Sequence, residues 1–120
     1  MTKNKTPQQR GRSNRRRGHD FERRIARELR DIYGSSVRRV PQYQKDHESA
    51  DVSCPVFHPE CKTGINPNAR KALEQAMTTC PPGKWPIAVV KRRDKIAVLV
   101  TMRWDDFLDL IKEHWEAMGR

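Results

Sequence analysis

"SADVSCPVFHPECKTG", residues 49–64, holds two acidic residues and a lysine in two short runs that are typical of strands. Asp51 lies in the run ADVSC, and Glu60 and Lys62 lie in the run VFHPECK that follows. Side chains alternate across a strand, so we expect Glu60 and Lys62 on one face and Cys61 on the other. Because proline cannot donate a ladder hydrogen bond, Pro59 indicates that this strand is locally an edge or begins at Glu60.

These three side chains suit the hydrolysis of a phosphodiester bond. Such hydrolysis needs a divalent cation, an activated water and neutralisation of charge on the phosphate. Asp51 and Glu60 offer the carboxylate ligands that hard cations take, and Lys62 could orient the water or stabilise the phosphate charge. The alternative is an ordinary polar surface, because 33% of the residues are charged and such a spacing arises easily by chance.

The segments around this motif predict alternating helices and strands. Apolar residues at helical spacing predict a first helix over residues 19–34, capped by Asp20 and ended by Gly34. Glu22 borders the apolar stripe of that helix, so its carboxylate is a candidate to reach the motif. A second helix is expected over residues 66–80, with Asn66 as its cap. The predicted strands cover residues 36–41, 50–54, 56–62, 85–92 and 95–101.

The C-terminal part predicts a hairpin and then an amphipathic helix. WPIAVVKR and KIAVLVT are apolar runs separated by the dipeptide RD. The helix, over residues 104–115, places Trp104, Leu108, Ile111 and Trp115 on one stripe, and we expect its tryptophans in the core or in an interface. The polar stretch QYQKDHES, residues 42–49, is expected to be a loop.

The charge is concentrated at the N-terminus. Of a net charge of +10, residues 1–17 supply seven basic residues and no acidic one, and they contain no large aliphatic residue except Met1. Such a segment buries too little apolar surface to order itself, so we expect a disordered basic arm over 1–17 and a single domain over 18–120. A polyanion, most often nucleic acid, is the expected partner, contacted by Arg15, Arg16 and Arg17. A membrane surface is the weaker alternative, because the arm has no apolar face to insert.

Other classes of protein are disfavoured by the composition. No apolar segment of the kind found in signal peptides follows the basic residues, and no run approaches the roughly 20 apolar residues of a membrane span. We therefore expect a soluble, intracellular protein with reduced cysteines. Zinc binding is a minor alternative; it would use Cys54, His58 and Cys61 with His47 or Cys80, although the spacing matches no CxxC knuckle.

The chain resembles a known family of nucleases. Glu22 on the first helix, Asp51, the run Glu60-Cys61-Lys62 and a following helix with Gln75 are similar to the restriction-endonuclease-like PD-(D/E)xK nucleases. Within these, the segments GHDFERRIARELR, VRRVP, ADV and ECKTG resemble the small Holliday junction resolvases of the archaeal type and their phage-encoded relatives, over residues 18–112. Ala50 stands where the family has its name-giving proline, and Pro59 replaces an apolar strand residue.

The resemblance implies a fold and a site. It implies an α/β fold with a central mixed sheet flanked by helices, in the order α-β-β-β-α-β-β-α. Asp51 and Glu60 would bind Mg²⁺, with Mn²⁺ as the alternative, and Lys62 would be catalytic. The remaining implied roles are support of the site by Glu22 and DNA contacts by Arg39 and Gln75.

It also implies a substrate and an assembly. The expected activity is a Mg²⁺-dependent endonuclease, a Holliday junction resolvase that cuts branched DNA as a homodimer in the cytoplasm, that of the bacterial host for a phage protein. The strand KIAVLV and the final helix are candidate dimer surfaces. The alternatives are a nicking, restriction or repair nuclease of the same fold, and a basic nucleic-acid-binding protein without catalysis.

Overall fold

The order of helices and strands matches the prediction. The computed structural model describes residues 6–40 and 51–120. Over these residues, three helices and five strands alternate in the order α-β-β-β-α-β-β-α. They are α1 (Pro7–Tyr33), β1 (Arg38–Arg39), β2 (Val52–Ser53), β3 (Phe57–Gly64), α2 (Ala69–Thr79), β4 (Trp85–Arg92), β5 (Leu99–Thr101) and α3 (Trp104–Ala117). The predicted loop at 42–49 lies outside the described residues.

A mixed sheet forms the centre of the fold. Its strands lie in the order β3-β4-β5, with β3 parallel to β4 and β4 antiparallel to β5. A parallel pair needs a crossover connection, which α2 supplies. Strands β1 and β2 form a separate antiparallel pair. This α/β arrangement confirms the predicted fold class and is consistent with a restriction-endonuclease-like fold.

The two faces of the sheet pack against different helices. Cys61 and Val89 are paired in register and belong to a core cluster with Phe21 and Ile25 of α1. On the opposite face, Ala88 and Val90 pack with Ala72 and Leu73 of α2. Ala88 is the register partner of Glu60, and Val90 is the register partner of Lys62. The predicted division of the strand is therefore confirmed, with the E-x-K acid and base on the α2 face and the cysteine in the α1 core.

Pro59 lies inside β3, and this strand is an edge of the three-stranded sheet. The amide of Cys61 donates to Asp51 rather than to β4. Amides two residues apart on a strand point to the same edge, so the position of Pro59 also faces away from β4. Proline therefore removes no ladder hydrogen bond here. The edge interpretation of Pro59 is correct, and the alternative start of the strand at Glu60 is wrong.

Helix α1 begins much earlier than the sequence indicated. Thr6 and Gln9 form a capping box, in which the Thr6 hydroxyl accepts from the Gln9 amide at 3.1 Å and the Gln9 side chain accepts from the Thr6 amide at 2.9 Å. Pro7 suits the first helical position. Residues 7–17 are therefore helical in the structure, whereas the sequence indicated a disordered arm, and Asp20 lies within the helix instead of capping it. Residues 1–5 of the predicted arm are outside the described chain.

The physical reason lies in continuity with a packed helix. Arginine and glutamine have high helix propensity, and extending an existing helix avoids the unfavourable nucleation step. The burial argument that predicted disorder considered residues 1–17 in isolation. It therefore missed the stabilisation that the core-facing part of α1 lends to its basic N-terminal turns.

Smaller differences concern the ends of other elements. Gly34, with φ of 85°, ends α1 as predicted. Asn68, not Asn66, caps α2, and its side chain accepts from the Lys71 amide at 2.9 Å. The hairpin of β4 and β5 is confirmed, but β5 begins only at Leu99, and the Arg92–Asp94 ion pair lies in the turn.

The predicted apolar stripe of helix α3 is exposed to solvent. Trp104 is 67% exposed and Trp115 is 53% exposed, and Leu108 and Ile111 are exposed as well. The helix itself is confirmed, but the core interpretation of these two tryptophans is wrong. Their assignment to an interface stays a prediction. In the described part of the chain, no helix combines the length and apolarity needed to cross a membrane.

Candidate active site

Asp51 lies against the backbone of the E-x-K run at the outer edge of β3. Asp51, which directly precedes β2, is buried, and its Oδ2 accepts a hydrogen bond from the Cys61 amide at 2.8 Å. Cys61 is the residue between Glu60 and Lys62. The carboxylate of Asp51 is therefore fixed beside the backbone of the E-x-K run, by a bond that the edge position of β3 makes available.

Glu60 and Lys62 form an ion pair on the α2 face of β3. The Lys62 Nζ lies 3.7 Å from the Glu60 Oε1, and Glu60 is buried, whereas 45% of the Lys62 side chain is exposed. A buried carboxylate is costly unless a charge or hydrogen bonds compensate it. The partly exposed side chain of Lys62 is accessible to a substrate that approaches this edge.

The donor set suits a hard divalent cation. Asp51 and Glu60 present carboxylate oxygens, and Mg²⁺ commonly takes one or two carboxylates together with water and phosphate oxygens. Over residues 6–40 and 51–120, no three or more acidic, histidine or cysteine side chains are grouped to hold a metal ion. Among these residues, a cation at Asp51 and Glu60 would find no grouped third acidic, histidine or cysteine ligand.

Glu22 and Arg39 are brought together by the packing of α1 on β1. The Arg39 Nε donates to the Glu22 Oε2 at 3.0 Å, and the side chains are only 18% and 15% exposed. From the sequence, Glu22 was expected either to be part of the site or to be an exposed acid in a surface ion pair. The structure gives it a largely buried partner from another element. Each charge therefore holds the other in place near the sheet.

Removing Arg39 should destabilise the fold measurably. We expect Arg39→Ala to lower the free energy of unfolding by about 2 kcal/mol, because Glu22 would be left largely buried without its partner. Arg23→Ala, which breaks the exposed Arg23–Asp20 pair at 3.2 Å, should cost less than about 1 kcal/mol. Urea denaturation of both variants measures the difference. Equal losses would show that the Glu22–Arg39 pair behaves as a surface pair.

The predicted DNA-contacting residues lie on different elements. Arg15 and Arg16 are exposed on the N-terminal turns of α1. Arg17 is half-buried and donates to the Asn14 side chain at 3.2 Å. Gln75 is exposed on α2, and its main-chain carbonyl oxygen accepts a hydrogen bond from the Thr79 hydroxyl. The basic residues thus extend along one helix, in place of the expected flexible arm.

Sequence reasoning missed one basic group. Arg93, in the turn after β4, donates to the same Asn14 oxygen that Arg17 contacts, at 3.2 Å. The two interacting residues are 79 positions apart, so no local pattern could have indicated their contact. Only the position of α1 against the ends of β3 and β4 brings them together.

The zinc alternative receives no support from the described residues. The ring of His58 is buried, and its Nε2 lies 2.7 Å from the Thr79 hydroxyl. Burial and the nearby Lys84 lower the pKa of His58, while Asp51 opposes that shift. Cys54 and Cys61 are buried free thiols. His47, a further ligand in that alternative, lies outside the described residues.

Cys80 should react slowly with thiol reagents. Burial raises the pKa of its thiol, with Asp106 adding to that shift while Arg103 and Lys84 oppose it. The thiolate is the reactive form, so at pH 8 we expect slower alkylation than that of an unstructured cysteine peptide. Mass spectrometry after timed iodoacetamide treatment measures the rate, with the urea-unfolded protein as the control. Labelling of native Cys80 at the unfolded rate would contradict the expectation.

Comparison with known proteins agrees with the geometry. A family model described as "Phage putative PDDEXK endonuclease" matches residues 13–118. Searches of curated proteins and of solved structures returned no significant match. The match spans the Asp51 and E-x-K segments and nearly all of the chain. The predicted resemblance to PD-(D/E)xK nucleases is confirmed, and the narrower resemblance to junction resolvases stays a prediction. This chain belongs to the phage PDDEXK endonuclease family.

Proposed function

We propose that this protein is a Mg²⁺-dependent endodeoxyribonuclease that cuts branched DNA, with four-way Holliday junctions as its substrate. The observations that carry the proposal are the hydrogen bond that holds Asp51 against the Cys61 amide at the outer edge of β3 and the ion pair between Glu60 and Lys62 on either side of that residue. Its support is membership in an endonuclease family and a net charge of +10 that suits a polyanionic substrate.

Asp51 and Glu60 are the residues that would hold Mg²⁺, with Mn²⁺ as a substitute. The Cys61 amide fixes one oxygen of Asp51, so this carboxylate is oriented before any ligand arrives. When bound, the cation supplies Lewis acidity toward the phosphate and a more acidic water. These tasks require carboxylates at fixed positions, and the burial of both Asp51 and Glu60 supports that role.

Lys62 orients the attacking water and neutralises charge on the phosphate as the bond breaks. Its ammonium group is held 3.7 Å from Glu60, yet much of the side chain is open to solvent. A preorganised cation of this kind stabilises the charge that develops in the transition state. Glu22, held by Arg39, supports the site from α1.

DNA binding rests on the basic residues of α1 and on Gln75. Arg15, Arg16 and Arg17 contact phosphates along the duplex arms, while Gln75 and Arg39 contact the backbone nearer the site. Phosphate contacts position DNA without reading its sequence. This favours recognition of shape, such as that of a branched junction, over recognition of a base sequence. The protein would act in the cytoplasm of the infected bacterium.

Junction resolution also requires two active sites, so we propose that the protein acts as a homodimer. Its surface combines the exposed stripe of α3 with the edge strand β5, whose Leu99 and Val100 are exposed. A second copy would bury this apolar surface, which a monomer would leave in water. Two copies would then cut two strands of one junction.

Cleavage of a labelled four-way junction beside a linear duplex of the same sequence tests the substrate. We expect paired nicks in opposing strands of the junction, with little cutting of the duplex, in the presence of Mg²⁺. Equal cutting of both substrates would support a nuclease without a preference for junctions. Salt-sensitive binding without cutting in Mg²⁺ or Mn²⁺ would indicate a basic DNA-binding protein instead.

A further inference from the structure

A basic pocket lies between the N-terminal part of α1 and the ends of β3 and β4. Arg17 Nη1 and Arg93 Nη2 both donate to the side-chain oxygen of Asn14, each at 3.2 Å. The pocket has a volume of about 260 Å³. Its lining consists of Asn14, Arg17, Thr63, Gly64, Ile65 and Arg93. We call it the Arg17–Arg93 pocket.

The two guanidinium groups converge without a carboxylate. None of the residues that line the pocket is acidic. Several other arginines pair with acids; Arg92, the direct neighbour of Arg93, pairs with Asp94 at 3.1 Å. Within the described ranges, neither Arg17 nor Arg93 forms an ion pair. Two like charges that share one neutral acceptor form a site for an anion.

The pocket is adjacent to the candidate active site. Thr63 and Gly64 directly follow Lys62 on β3, and the Gly64 carbonyl accepts from the Arg93 amide at 2.7 Å. A strand rises about 3.3 Å per residue, so the backbone of Thr63 and Gly64 lies roughly 3–7 Å beyond that of Lys62 along β3. The Thr63 side chain alternates with Lys62 and faces α1 rather than α2. Because β3 is an edge strand, a DNA strand that crosses this edge can place one phosphate at Lys62 and a nearby phosphate in the pocket.

We propose that the Arg17–Arg93 pocket binds a backbone phosphate that flanks the phosphate being cut. The two guanidinium groups donate to its oxygens in the paired geometry that arginine offers phosphate, and the Thr63 hydroxyl is positioned to donate as well. This phosphate fixes which bond lies at Lys62. The inference rests on the proposed function for the meaning of that position, but binding to the pocket does not depend on cleavage.

Glutamine substitutions separate the anion site from a structural role. Arg17→Gln/Arg93→Gln removes both charges and keeps amide donors that can bond to Asn14. Arg92→Gln removes one charge a residue away and serves as the matched control. Circular dichroism should show unchanged helix content in all variants, since α1 retains its cap and its core contacts.

DNA binding is measured by fluorescence anisotropy without divalent metal, so no cutting occurs. We expect the double variant to bind about tenfold more weakly than wild type near 100 mM salt, with the slope of log K against log salt reduced by about 1. Arg92→Gln should change affinity by less than about threefold. The proposal would be overturned if the double variant kept the wild-type affinity and salt slope. It would also be overturned if Arg92→Gln lost as much affinity as the double variant.

Neutral methylphosphonates, placed one at a time along one strand, identify the phosphate. One position should weaken wild-type binding and have no further effect on the double variant. If every substituted position weakens DNA binding by both proteins equally, the pocket is not a backbone phosphate site. If free inorganic phosphate protects Arg17 and Arg93 from chemical modification and DNA does not, the pocket binds a small anion instead. If wild type binds DNA through the pocket but never cuts it, the proposed nuclease function would be contradicted, while the proposed phosphate site would stand.

Discussion

Asp51→Asn should lower the rate of Mg²⁺-dependent cleavage by about 10²- to 10³-fold, the size of effect seen when one preorganised electrostatic group of a site is lost. Asparagine has nearly the same shape, and its carbonyl oxygen can still accept from the Cys61 amide. The fold should therefore be unchanged, while one of the two anionic ligands disappears. A measurement of single-turnover cleavage over a range of Mg²⁺ concentrations should also show half-maximal rate shifted to higher concentration.

The control is Asp94→Asn, which neutralises an exposed acid in the turn between β4 and β5. It should cut at the wild-type rate. Thermal melts of both variants verify that the folded state is retained. Undiminished cleavage by a folded Asp51→Asn protein would remove Asp51 from the metal site and leave it as a structural acceptor for β3.

Ile111→Glu should convert the proposed dimer into monomers. The side chain is 44% exposed in the single chain, so the substitution should cost the monomer little stability. At the centre of an apolar interface, a charged side chain without a partner should weaken association by about 30-fold or more. Sedimentation velocity over a concentration series measures that shift, and the paired nicks on a junction should become independent single nicks.

Ile32→Glu provides the comparison, since Ile32 is an exposed isoleucine on α1, a helix that is not part of the proposed dimer surface. It should sediment as the wild type does. If wild type and Ile111→Glu are both monomers at micromolar concentration, the α3 stripe is not a dimer surface and the two cuts need another explanation. If both are dimers, the copies associate through a different face.

The shared face of Glu60 and Lys62 was predictable because it depends on local rules. The alternation of side chains on β3 decided that Glu60 and Lys62 share a face, and one proline indicated an edge strand. Asp51 lies close in sequence to these residues, and a short connection between neighbouring strands brings its carboxylate to the same edge. Each inference used residues within a dozen positions of one another, where periodicity and turn chemistry constrain the structure most strongly.

Other features depended on contacts between distant segments. The pairing of Glu22 with Arg39 follows from how α1 packs on β1, and the meeting of Arg17 with Arg93 follows from the length of α1. That length was underestimated because the basic arm was judged by composition alone. The exposure of Trp104 and Trp115 was equally hidden, since an apolar stripe on a helix does not specify whether its partner is the same chain or another one.

The most direct test is a time course of cleavage on a 5′-labelled four-way junction, by wild type and Asp51→Asn in parallel, with Mg²⁺ or with chelator. We expect cutting by wild type with Mg²⁺, no cutting with chelator, and a rate for Asp51→Asn that is lower by about two orders of magnitude or more. Cutting that persists in chelator, or equal rates for the two proteins, would contradict a metal-dependent site at Asp51, Glu60 and Lys62.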